Sequence, residues 1–155
     1  MNGDFNYRKF KMVAYSIPLA LFLAAAAVYY ILKGEQMALQ PDTMSTFQFV
    51  LPIAILVGIL FSSFYFNRQV KKLWKVKNLK EKLSGFQKAF ILKMAMQELP
   101  ATVAVVAALF TGEAQFLFIA LAVIIVMIIG VPSKEKIALF LQLSPQEKHT
   151  LENQL

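Results

Sequence analysis

Residues 12–32, MVAYSIPLALFLAAAAVYYIL, run for 21 positions without a charged side chain. A helix needs about 20 such residues to cross a hydrocarbon core about 30 Å thick. Two more uncharged runs follow: 25 positions from Thr43 to Asn67, and 20 positions from Ala114 to Ser133. A further apolar stretch, about 89–111, is interrupted only by Lys93 and Glu98. Backbone in lipid must satisfy its own N–H and C=O groups, so each run predicts a helix. The first run has a basic start and four alanines, Ala24 to Ala27, as a signal peptide does. Its apolar core exceeds the roughly 7–15 residues of a signal, so it is expected to stay as a span.

The expected fold is all-α: a polytopic membrane protein built as a four-transmembrane-helix bundle, one domain over residues 1–155. The spans fall at about 12–33, 46–67, 89–111 and 115–132. A basic amphipathic segment at 67–88 and a short helical tail at 133–155 complete it. The turn TGEA, residues 111–114, is short enough only for an antiparallel hairpin of the third and fourth spans.

Composition agrees. The chain is 58% hydrophobic and 16% charged, against roughly 45–50% and 25% in soluble domains. It has no cysteine and one histidine, His149, which leaves no thiolate chemistry and no zinc-ligand spacing. The net charge of +7 resides in one segment, 67–88, which holds eight basic residues and one acidic residue. The other eight basic residues are matched by eight acidic ones, so no nucleic-acid-binding domain is expected.

The basic residues also orient the chain. Arg8, Lys9 and Lys11 precede the first span, and Lys134, Lys136 and Lys148 follow the fourth. The opposite side has only Lys33. By the positive-inside rule, both termini and the 67–88 segment are expected in the cytoplasm, the membrane being a bacterial inner membrane. The 33–45 loop is expected outside. Within 67–88, Val70, Leu73 and Trp74 share one helical stripe, opposite Lys71, Lys72 and Lys75. Arg68, Lys71, Lys72, Lys75 and Trp74 are the expected contacts with anionic lipid, and Ser84-Gly85 is expected to break the helix before the third span.

Helices in lipid associate through small residues. Ala54, Gly58 and Ser62 form such a stripe on the second span; Gln97, Ala101, Ala104 and Ala108 form one on the third. Pro18, Pro52 and Pro100 lie inside spans, and Pro100, close to mid-membrane, is expected to kink its helix. In the tail, Ile137, Phe140 and Leu141 share a face suited to the membrane surface or the bundle underside. Ser144, Pro145 and Glu147 read as a capping box with proline at the first helical position.

KMAMQELPATVAV, residues 93–105, carries the candidate intramembrane polar site: Gln97, Glu98, Pro100 and Thr102. A carboxyl group at that depth is expected to face other helices as a neutral acid that donates a hydrogen bond. Its acceptor is expected to be the carbonyl freed by Pro100 or a serine on another helix. The motifs ELP, 98–100, and PSKEKIALFLQLSPQE, 132–147, resemble those of small, uncharacterised bacterial four-helix integral membrane proteins. The resemblance covers mainly the C-terminal half and implies a fold without an activity.

No span end carries the His/Asp/Ser grouping or carboxylate cluster an enzyme would need, and no catalytic residue, metal or cofactor is expected. The function expected first is a non-enzymatic integral membrane protein: a scaffold, accessory subunit or small oligomer. Its partners would be the bilayer, anionic at the cytoplasmic face, and a second copy or another membrane protein. The alternative is a small proton- or ion-coupled carrier or channel with Glu98 as its protonation site.

Overall fold

The computed structural model describes residues 5–34 and 41–153. Among these, six helices and no strand are present. In chain order they are α1, Tyr7–Gly34; α2, Pro41–Leu73; α3, Leu79–Thr111; α4, Gln115–Ile129; α5, Lys134–Phe140; and α6, Pro145–Asn153. Of the expected outer loop, 33–45, residues 35–40 lie outside the described residues, while 33–34 belong to α1 and 41–45 to α2.

Three helices, α1, α2 and α3, are long and apolar enough to cross a membrane. α4 has 15 residues, about 22 Å of rise, which falls short of a hydrocarbon core about 30 Å thick. It meets the same test only together with α5, from which it is bent by 82°. The bend has a local cause. Pro132 lacks the N–H that would continue the ladder, and its ring keeps Val131 out of helical backbone. The apolar run 114–133 therefore does not become one straight helix.

α2 and α3 each have 33 residues, about 50 Å, and extend past the apolar runs into the basic segment. α2 carries the basic segment as far as Leu73 without interruption. The break comes at Trp74–Asn78, where the Asn78 side chain caps α3 by accepting from the Lys80 N–H at 2.9 Å. α3 then runs unbroken through Ser84, Gly85 and Pro100. Gly85 belongs to a close approach rather than a break: a Cβ there would lie 2.5 Å from the Leu73 side chain. The real end of α3 is Gly112, whose φ of 73° is left-handed and whose N–H bonds the Ala108 carbonyl at 3.0 Å. This is the turn expected at TGEA.

α3 is the central element. It packs against α1, α2 and α4, and α1 also packs against α4. Ala101, Ala104 and Ala108 are fully buried, so neighbouring backbones approach closely along this stripe. Towards the other end of α3 the core becomes aromatic. Phe10 of α1, Phe66 of α2, Phe86 and Phe90 of α3, and Phe140 of α5 form a connected ring cluster with centroids 5.4–6.3 Å apart. Each such pair contributes about 0.5–1.5 kcal/mol beyond area burial. Three further contacts hold the same end together. The Tyr7 hydroxyl donates to the Pro132 carbonyl at 3.4 Å, and the Trp74 indole N–H donates to the Phe140 carbonyl at 2.8 Å. The Lys82 ammonium meets the Glu147 carboxylate at 3.0 Å. The starts of α1 and α3, the end of α2 and the tail therefore share one end of the bundle.

Candidate functional site

The polar residues of 93–105 are not gathered into one cluster. Gln97 is the buried one, 3% exposed, in line with the alanine stripe. Glu98, one residue or about 100° further round the helix, is half-buried, and Thr102 is exposed. Pro100 is half-buried against α2, where a Cβ at Gly58 would lie 3.3 Å from its ring. Among the described residues, neither Glu98 nor Gln97 makes a side-chain hydrogen bond or ion pair. Neither acceptor expected for Glu98, a serine on another helix or the carbonyl freed by Pro100, is bonded to it among the described residues; the buried Ser62 hydroxyl of α2 donates to the Ile59 carbonyl of its own helix at 2.8 Å. Lys93, one turn before Gln97, rests its ammonium on the Phe66 and Phe90 rings, 5.3 and 5.9 Å from their centroids.

The second-span stripe divides. Ser62 is fully buried, Gly58 is half-buried and Ala54 is exposed. Four-residue steps advance about 40° each round a helix, so a stripe of three cannot stay on one contact. α2 relies chiefly on α3, and only part of its circumference is covered.

The basic end is where charge is organised. Lys82 is 8% exposed, unlike most lysines of this segment, and among the described residues its contact with Glu147 compensates it. Glu147 is fixed in turn by the capping box. Its second carboxylate oxygen accepts from the Ser144 N–H at 2.8 Å, and the Ser144 hydroxyl accepts from the Glu147 N–H at 3.3 Å. The Ser144 N–H and then Lys82 hold the Glu147 carboxyl below its usual value. Leu151 of α6 is fully buried, so the last helix is docked by an apolar anchor as well as by charge. Ile137 of α5 and Leu141, which follows it as C-cap, are also fully buried.

The expected lipid-contact residues Arg68, Lys71, Lys72 and Lys75 are exposed. Trp74 is partly exposed but tied by its indole to α5, so it also joins the α2–α3 connection to the tail. Sequence reasoning missed three features: the aromatic core, the burial of Lys82 and its pairing with Glu147. The only available signal was the capping box, which fixed one Glu147 oxygen and left the other free. Comparison with known proteins adds no relative: no family model, no curated protein and no solved structure matches this chain.

Proposed function

We propose that this chain is a non-enzymatic integral membrane protein, a scaffold or accessory subunit that holds a fixed basic platform at a membrane surface. The observation that carries this reading is the closure of the basic end. Segments from α1, α2, α3 and α5 meet on one aromatic core, and Lys82–Glu147 ties the tail back onto it. Four antiparallel segments fit these contacts, with α4 and the α5 bend completing the fourth crossing. By the positive-inside rule the platform faces the cytoplasm, with both termini, in a bacterial inner membrane. The exposed apolar residues of α2, among them Phe49, Ile53, Leu60 and Phe64, face lipid, a second copy or another membrane protein.

Glu98 supports a second reading, a proton- or ion-coupled carrier or channel. It is half-buried and, among the described residues, its carboxyl is not engaged by any side chain or backbone donor. A carrier, however, needs one group of helices to rock against another about its site. Here α3 is packed against α1, α2 and α4.

Reconstitution into proteoliposomes with an internal pH-sensitive dye tests both. The scaffold reading expects wild type and Glu98→Gln to leak no faster than empty vesicles and to elute as the same species in detergent. Proton flux in wild type that Glu98→Gln abolishes would overturn it in favour of the carrier.

A further inference from the structure

A cleft of about 410 Å³ lies between the basic ends of α2 and α3. Leu73, Ala89 and Leu92 give it an apolar floor; Lys72 from α2 and Lys88 from α3 line it, with Tyr65 and Gln69 alongside. Its charge differs in kind from the neighbouring lysines. Lys82 is closed by Glu147 and Lys93 lies on two phenyl rings. Among the described residues, Lys72 and Lys88 have no carboxylate or aromatic partner. Two uncompensated cations thus line a hydrocarbon floor, where the apolar run 43–67 has ended and the stretch 89–111 begins.

We propose that this cleft is a binding site for one anionic glycerophospholipid of the leaflet at the basic end. The head-group phosphate would lie between Lys72 and Lys88, and the upper part of the acyl chains would lie on Leu73, Ala89 and Leu92. Basic pockets between membrane helices select such lipids because one molecule meets both the cations and the apolar wall. A soluble anion has no use for the floor, and a zwitterionic lipid offers no net charge. Gly85 helps keep the wall in place: any side chain there would displace Leu73. This differs from diffuse attraction to the basic segment, because it needs Lys88 on the neighbouring helix and excludes Lys75 and Lys77, which do not line the cleft.

The proposal rests on the reading that the chain spans a membrane, which resistance to alkaline carbonate extraction tests separately. The binding test is native mass spectrometry of the detergent-purified full chain titrated with phosphatidylglycerol or phosphatidylcholine. Wild type is expected to retain one phosphatidylglycerol and to discriminate against phosphatidylcholine. Lys72→Gln/Lys88→Gln should bind phosphatidylglycerol about thirtyfold more weakly, as loss of two interfacial cations implies. Lys75→Gln/Lys77→Gln removes the same charge outside the cleft and should stay within about fivefold of wild type. Gly85→Ala, which keeps every charge, should also weaken binding. Equal loss in the two lysine pairs, equal retention of both lipids, or displacement of phosphatidylglycerol by millimolar inorganic phosphate would each overturn the site. All four exchanged lysines are exposed, so their loss leaves the bundle folded.

Discussion

The middle of α3 and the basic end of the bundle treat polar groups in opposite ways. At the basic end a buried lysine has a carboxylate at 3.0 Å, and that carboxylate has a second donor from the Ser144 backbone. In the middle, Gln97 is even less accessible and Glu98 is half-buried, yet neither makes a side-chain hydrogen bond among the described residues. The difference lies in what each region packs with. The basic end is assembled from segments distant in sequence, and each brings donors, acceptors or rings. The middle is assembled from alanine, glycine and apolar side chains, which allow close approach but offer no polar partner. Rigidity is therefore expected at the basic end, and in the middle the half-buried Glu98 is expected to tolerate exchange for Gln.

The largest effect should come from the aromatic core. Phe86→Ala removes a fully buried ring that touches Phe10, Phe66, Phe90 and Phe140. It should cost about 3–5 kcal/mol in a reversible detergent-denaturation titration. A change below about 1 kcal/mol would show that the basic end is not the rigid part. Next is Gly58→Leu, which drives a side chain into Pro100 and should cost about 1–3 kcal/mol by overpacking in the same assay. Gly58 lies at the middle region, so a neutral result there would show α2 free to shift against α3.

The Lys82–Glu147 contact should have a smaller but pH-dependent effect. Glu147→Gln should cost about 1 kcal/mol, since one partner is near the surface, and should expose α6 to limited proteolysis. The Glu147 carboxyl is held below its ordinary value of 4.5. Its contribution is thus complete above about pH 4.5 and is lost as pH falls through the lower folded value. Wild-type tail protection should drop in that acidic window, whereas Glu147→Gln should be flat across it. Protection of wild type that does not fall at all as pH is lowered below 4.5 until the fold itself is lost would remove the ion pair from the account. Smallest is Glu98→Gln, expected to move stability by less than about 0.5 kcal/mol. A loss of several kcal/mol would mean that Glu98 has a partner in an assembly.

Several features were legible from local pattern alone. The apolar runs predicted the helices, TGEA predicted the reversal at Gly112, and Ser144-Pro145 with Glu147 predicted the start of α6. The segment 64–66 shows where that legibility stops. Phe64, Tyr65 and Phe66 are three consecutive aromatics at the end of the second apolar run, yet Phe64 is 67% exposed and Phe66 is 3% exposed. The span before them is apolar on every side, so periodicity carries no information about which face turns inward. Ser84-Gly85 failed for a related reason. It was expected to end a helix, yet Gly85 supplies space for Leu73 from another helix, a demand that no local window contains.

The sequence by itself determined that the chain folds into long apolar helices and which stretch carries the basic charge. These depend on local hydrophobicity and on charge position along the chain. Only the tertiary structure decided that Lys82, of eight basic residues in its segment, is buried against Glu147, 65 positions away. It likewise decided that Lys72 and Lys88 share a cleft and that, among the described residues, Glu98 meets no hydrogen-bond partner. The physical reason is the same in each case. In helices that are apolar on most sides, the inward face is chosen by shape complementarity and by a few polar pairings between distant segments, and neither is encoded in any single stretch of chain.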